Sequence, residues 1–290
     1  AMMPSVPTAT STDRATGAFM RGDLAGAIRL HVSNQVTAAD DAAAVVGAYA
    51  WTGRMEEAHA VDAAFRRRFI ADPAYLAMAR CWLAIGWCHA GRVKRARQLL
   101  RDGDEPRDRD SFYWLYPMAF VAYFRGRIQR SARWGRRALH AAVVSENRFG
   151  QLLANDLLAH AAHLLGRRSL ANRLLTHASS LAVDLQLPST YHNLQCNRAL
   201  FAVTDAPGDP VARQALAQHA RAEGLHYFSK RHALSVLAMA HALVGEQAIA
   251  ADYLREATEI SVGHDARGDI RVECGRGVVA AVSGDRAAAD

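Results

Sequence analysis

The residues best suited to chemistry lie mid-chain, where Asp156, His160 and His163 are spaced four and three residues apart. On a helix this spacing places one carboxylate and two imidazoles on the same face. Two such histidines can bind a metal ion, and Cys81 or Cys88 could add a thiolate ligand. No H-E-x-x-H motif is present and both cysteines belong to a distant segment, so ligand contact and simple solvation remain alternatives. We expect no bound metal and no cofactor.

A stripe of aromatic residues precedes this group. Tyr113, Tyr116, Phe120 and Tyr123 recur at helical spacing and therefore share one face of a helix. They offer a large apolar area with three hydroxyl groups, as a pocket for a small molecule or peptide does. Core packing between neighbouring helices is the alternative, and it more often explains such a stripe. Pro117 lies within the stripe, where it removes one hydrogen bond and can kink the helix.

Basic residues are concentrated in the same part of the chain. They could form a positive ridge that meets an acidic protein domain or nucleic acid phosphates, or simply a solvated face balanced by nearby acids. No zinc finger, helix-turn-helix or RNA-binding signature accompanies them, so we expect a protein partner rather than nucleic acid, contacted by Arg130, Arg133 and Arg137. The basic residues are Lys94, Arg95, Arg97, Arg101, Arg127, Arg130, Arg133, Arg136, Arg137, Arg167, Arg168 and Arg173.

The composition is that of an ordinary folded protein. Of 290 residues, 51% are hydrophobic and 22% charged, and the formal net charge is +7. These values exclude global disorder, and the abundance of Ala, Leu and Arg favours helices. The four cysteines form no C-x-x-C pair, no signal peptide is recognisable and no apolar run reaches ~18 residues. We therefore expect reduced thiols, a cytoplasmic location and no membrane contact. Nucleotide-binding and hydrolase motifs are absent, so we do not expect an enzyme.

An internal repeat organises the whole chain. At eight places an apolar helical stretch ends at a glycine and a second helical stretch follows, with a mean spacing of ~37 residues. A small residue stands five positions after seven of these glycines, which allows the two helices to approach closely. Glycine suits a helix end because it adopts left-handed backbone angles at little cost. The glycines are Gly22, Gly53, Gly91, Gly126, Gly166, Gly208, Gly245 and Gly284.

This pattern resembles the tetratricopeptide repeat, and the resemblance extends from about Asp13 to the end of the chain. The spacings exceed the strict form of the repeat and are similar to the looser repeats of maltose-activator-type bacterial regulators. The resemblance implies a right-handed superhelix of helix pairs whose first helices line a concave groove. The clearest matches are Leu83-Ala84, Trp87, Gly91, Val93, Ala96 and Leu100, then Leu158-Ala159, Ala162, Gly166, Ala171, Leu175 and Ala178.

The resemblance also implies which side chains face the groove, because four positions before each glycine point inward in this family. The ligand-binding residues expected on this basis are Cys81, Cys88, Tyr113, Tyr116, Phe120, Tyr123, Asp156, His160 and His163. They belong to the third, fourth and fifth repeats.

We therefore predict an all-α fold, a right-handed α-solenoid of about seven helix hairpins plus a partial eighth. Residues 1–12 are expected to be a disordered tail and residues 13–290 a single repeat domain. Only six residues follow Gly284, so we expect a fragment of a longer protein. The predicted function is that of a regulatory or sensory module of a bacterial signalling or transcription-regulating protein, which binds a small molecule or short peptide. The alternative is a protein-interaction scaffold without a small ligand.

Overall fold

A computed structural model describes residues 14–101, 111–222, 225, 227–260 and 266–284. These residues form fifteen α-helices and no β-strand, which confirms the predicted all-α class. The predicted tail and the residues after Gly284 lie outside the described part. The helices are α1 (Ala15–Met20), α2 (Leu24–Val32), α3 (Ala39–Trp51), α4 (Met55–Phe69), α5 (Pro73–His89), α6 (Val93–Arg101), α7 (Phe112–Phe124), α8 (Ile128–Val144), α9 (Arg148–Leu164), α10 (Arg168–Asp184), α11 (Pro188–Asp205), α12 (Pro210–Ala220), α13 (Tyr227–Leu243), α14 (Gln247–Glu259) and α15 (Ala266–Ser283).

The chain divides between Leu187 and Pro188 into two compact units. In the first unit, each odd-numbered helix from α1 to α9 packs on the even-numbered helix that follows it, and each one from α1 to α7 also packs on the next odd-numbered helix. In the second unit, α11 packs on α12 and α13, and α13 also packs on α14 and α15. We call the odd-numbered helices first helices and the even-numbered ones second helices. The handedness and number of the repeats stay predictions.

The turns within the helix pairs depend on glycine. Seven of the eight glycines singled out by their spacing have positive φ, among them Gly126 at 68° and Gly166 at 71°. The amide of Gly166 donates to the carbonyl of His163 at 2.9 Å, so the left-handed residue closes the end of α9. Gly208 is the exception, because the connection between α11 and α12 spans residues 206–209 rather than three residues.

The small residues predicted at the helix contacts are buried. Five positions after the glycine, Ala27, Ala58, Ala96, Ser131, Ala171 and Ala250 are each at most 1% exposed. Arg213 occupies this position after Gly208, and its guanidinium is held by the carbonyl of Pro207 at 3.2 Å and by Glu246 at 3.7 Å. A small side chain at this position therefore accompanies each glycine turn that has the regular three-residue form.

Among the described residues, three other than glycine adopt the left-handed conformation, each after a second helix. Glu146, at φ 54°, is exposed at the end of α8. We expect Glu146→Gly to raise the free energy of unfolding by about 1 kcal/mol, because glycine removes the steric cost of this conformation. Urea unfolding followed by circular dichroism measures the change. Glu146→Ala is the control, since it removes the same carboxylate but keeps the Cβ atom and with it the steric cost of the left-handed conformation. Equal effects of the two substitutions on the free energy of unfolding would show that this steric cost is not the cause.

A partly buried hydrogen bond connects α4 to α5 in the first unit. The indole Nε1 of Trp87 donates to Nε2 of His59 at 2.9 Å, and the guanidinium of Arg95 lies 4.9 Å from the Trp87 ring. Burial, more than the nearby arginines, lowers the pKa of His59. A protonated His59 could not accept this hydrogen bond, so the fold favours the neutral imidazole.

This hydrogen bond predicts a pH-dependent stability. The unfolded chain binds a proton near pH 6.5 and the folded chain binds it at lower pH, so the free energy of unfolding falls as pH decreases from 7.5 to 5.5. Urea titrations at both values should show a smaller fall for His59→Gln, which keeps an acceptor but cannot take up a proton. His31, whose pKa is also lowered by burial, leaves a residual dependence. The control is His140→Gln at an exposed position of α8. If the free energy of unfolding of His59→Gln fell with pH as much as that of the wild type, His59 would not be the source of the pH dependence.

Candidate functional site

One continuous series of ring contacts extends along the first helices of the first unit, and we call it the aromatic row. Neighbouring ring centroids are 5.1–6.4 Å apart. The row exists because each first helix packs on the next one. Its members are Phe19 of α1, Trp51 of α3, Trp82 and His89 of α5, Phe112, Tyr113, Tyr116, Phe120, Tyr123 and Phe124 of α7, and His160 of α9.

The aromatic stripe predicted on α7 occupies the middle of this row. Tyr116 is buried at 4% exposure, whereas Tyr113, Phe120 and Tyr123 are half-buried. Pro117 is buried inside the same helix. The stripe therefore combines one buried ring with three rings that are partly exposed to solvent.

The titratable residues predicted on α9 meet this stripe. The imidazole of His160 lies 6.2 Å from the Tyr123 ring in an edge-on arrangement, and its Nε2 is 3.8 Å from Oδ1 of Asp156. The side chains of His160 and Asp156 are 17% and 31% exposed. Burial raises the pKa of Tyr116, and the nearby Asp156 carboxylate raises it further. The structure thus brings Asp156, His160, Tyr116 and Tyr123 together, with His163 half-buried one turn further along α9.

The two predicted cysteines are packed beneath the row rather than on it. Cys81 and Cys88 are both 0% exposed, and burial raises the pKa of each thiol. Cys88 lies in an apolar cluster with Ala84, Ala96 and Val121. Neither thiol offers surface to a ligand or to an oxidant in this structure.

Sequence reasoning missed two polar neighbours of Tyr113. Asn147 is close enough to oppose the rise in the Tyr113 pKa that burial causes, and its Oδ1 accepts from the amide of Gly150 at 2.8 Å and so caps α9. Burial raises the pKa of Tyr113, with a smaller contribution from Asp40, which pairs with Arg14 at 2.7 Å. The capping pattern of Asn147 was visible in the sequence, but its contact with Tyr113 depends on the packing of α7 on α9.

Basic residues converge on a second surface, formed by α6, the turn before α8 and the first turns of α8. Helix α7 packs on both α6 and α8, and the pKa of Arg97 is lowered by Arg101 and, to a smaller extent, by burial and by Arg125, Arg127 and Arg130. Arg130 and Arg133 are exposed as predicted, while the Arg137 guanidinium lies 4.8 Å from the Trp134 ring. We call Arg97, Arg101, Arg125, Arg127, Arg130 and Arg133 the basic surface.

The described residues offer few other candidate sites. A pocket of about 320 Å³ is lined partly by Arg14, Gln35, Thr37 and Asp41, but by none of the predicted site residues. No group of three or more His, Cys, Asp or Glu residues in the described ranges is arranged to hold a metal ion. Within those same ranges, no helix has both the length and the apolarity needed to cross a membrane. No protein-family model and no curated protein match the chain.

Thiol accessibility provides a direct test of the packing around the row. Cys274 is exposed, whereas Cys81, Cys88 and Cys196 are buried and the pKa of Cys196 is raised to about 12. We expect a thiol-reactive chromophore such as Ellman's reagent to modify one thiol per native chain and all four in urea. Cys274→Ser should abolish the native reaction. Rapid modification of two or more thiols in the native state would show that Cys81 or Cys88 reaches solvent.

Proposed function

We propose that this chain is a non-enzymatic regulatory or sensory module of a larger bacterial signalling or transcription-regulating protein. It is a tetratricopeptide-like right-handed solenoid of about seven helix hairpins plus a partial eighth. A small molecule or short peptide binds the face formed by the first helices of the first unit. The free cysteines support a cytoplasmic location, because such thiols persist in a reducing compartment.

The observation that carries this proposal is the contact of Tyr123, His160 and Asp156 across α7 and α9. These side chains are partly exposed: the Tyr123 and His160 ring centroids are 6.2 Å apart, and the Asp156 carboxylate lies 3.8 Å from the same imidazole. Binding sites combine apolar area with a few polar groups that orient the ligand, and this arrangement has both. The tyrosine ring supplies area, while the histidine and the carboxylate select for hydrogen-bonding partners.

The position of the site explains how binding could be transmitted. A ligand that touches Tyr123 and His160 contacts two neighbouring first helices at once, because these residues lie on α7 and α9. If the ligand binds one relative orientation of these helices more tightly than another, it shifts the population toward that orientation. An attached effector domain would respond to this shift. The proposal requires binding only, and no proton transfer or bond cleavage.

The alternative is a scaffold that binds a protein partner through its second helices and needs no small ligand. It is favoured by the exposure of Arg130 and Arg133 and by the presentation of Arg137 on Trp134. Arginine is enriched at protein interfaces because its planar guanidinium forms paired hydrogen bonds and stacks on aromatic rings.

Native mass spectrometry of the purified chain, with a denatured control, tests the sensory module. We expect additional mass that is lost on denaturation. Tyr123→Ala should lose the additional mass, because it removes ring area from the site. Tyr191→Ala on α11 is the matched control, since it truncates another half-buried tyrosine outside the row. A bare wild-type mass would favour the scaffold, and retention of the ligand by Tyr123→Ala with unchanged helicity would refute the site.

A further inference from the structure

The basic surface has an unusual excess of one charge. Residues 93–101 and 125–144 together contain ten basic residues and no acidic residue. Nine of the ten are arginine. No described residue forms an ion pair with Arg101, Arg125, Arg127 or Arg130, and all four are exposed. Residues 102–110, which contain five acidic residues, lie between these two ranges and outside the described residues.

Three separate segments bring these charges together. Arg97 and Arg101 lie on α6, Arg125 and Arg127 flank the turn glycine between α7 and α8, and Arg130 is in the first turn of α8. The convergence depends on the packing of α6 on α7 and of α7 on α8. Because like charges repel, Arg101 and the neighbouring arginines lower the pKa of Arg97. The packing of these helices therefore places arginines of three segments on one exposed surface.

Helix α8 adds to this cost. Arg127 is its N-cap residue and forms no side-chain capping bond, and no acidic residue stands in the first turn. Cations at the N-terminus of a helix oppose the helix dipole, which favours anions there. By contrast, Asp23 and Asn147 cap α2 and α9 with side-chain oxygens. The first turn of α8 therefore favours an external anion, as does that of α10, where Arg167 is likewise an N-cap residue without a side-chain capping bond.

The surroundings of the basic surface indicate the class of partner. Among the described residues from 93 to 142 no large hydrophobic residue is exposed, and the exposed Val143 and Val144 lie at the opposite end of α8 from Arg130. An interface with another protein normally has an apolar core, and this surface offers none. Guanidinium groups match phosphate oxygens in geometry and bind them through paired hydrogen bonds. A polymer that carries regularly spaced phosphates matches the guanidinium groups and requires no apolar core at the interface.

We propose that the basic surface of α6 and α8 binds the phosphate backbone of nucleic acid without reading the bases. The sequence argues against nucleic acid because it contains no recognition motif, but backbone binding needs charge rather than a motif. Five arginines from three segments provide contacts to several phosphates on one side of a duplex. The aromatic row takes no part, so this binding is independent of the proposed ligand.

Fluorescence anisotropy with a fluorescein-labelled 20-base-pair DNA duplex of mixed sequence tests the proposal. At 50 mM salt we expect binding that weakens as salt is added, with a slope of log K against log salt of about −4.5 for five contacts. Arg127→Gln combined with Arg130→Gln should weaken binding about tenfold and reduce the slope by about 2. A duplex of scrambled sequence should bind with the same affinity as the first.

The matched control is Arg67→Gln combined with Arg173→Gln, which removes two exposed arginines elsewhere in the first unit. It should leave the affinity and the slope within twofold of wild type. Equal weakening by both double variants would overturn the proposal, because overall charge would then explain the attraction. Absence of binding at 50 mM salt would also overturn it. The proposal would also be overturned if polyglutamate displaced the labelled duplex as effectively as unlabelled DNA does, because that result would indicate an acidic protein partner.

Discussion

The close approach of packed helices is the constraint on which the rest of the structure depends. A Cβ atom added to Gly86 of α5 would lie 2.6 Å from Sδ of Met55 on α4, and one added to Gly135 of α8 would lie 2.9 Å from Cδ2 of Leu158 on α9. A Cβ at Gly86 would also lie 2.8 Å from Cβ of Ala50, which cannot rotate away, whereas a Cβ at Gly135 would require the Leu158 side chain to shift. The buried alanines five positions after the turn glycines satisfy the same requirement within the helix pairs.

This close packing produces the aromatic row. When the first helices lie side by side, large residues on them must interlock, and edge-on ring contacts such as that between Trp82 and Tyr113, 6.4 Å apart, are a favourable solution. The row is buried where Tyr116 packs and partly open where Tyr123 meets His160. The same interaction therefore contributes to the core and supplies the surface on which the proposed function depends.

The division into first and second helices also separates the charges of the central part of the chain. Helix α7 contains no charged residue, whereas α8 carries four arginines and no acid. The two helices pack on each other, so the apolar area of α7 and the charge of α8 belong to different surfaces of one hairpin. A binding face and a basic face can then act independently, because neither shares side chains with the other.

The sequence by itself determined the helical class, the turn glycines and the buried small residues, because these follow from local conformation and from spacing along one helix. It also placed Tyr113, Tyr116 and Tyr123 on one stripe. Only the tertiary structure decided which of these rings is buried, that Cys88 lies beneath the row, and that arginines from three segments converge. Those outcomes depend on which helices are neighbours and on how closely the helices approach. Spacing along the chain carries no information about either.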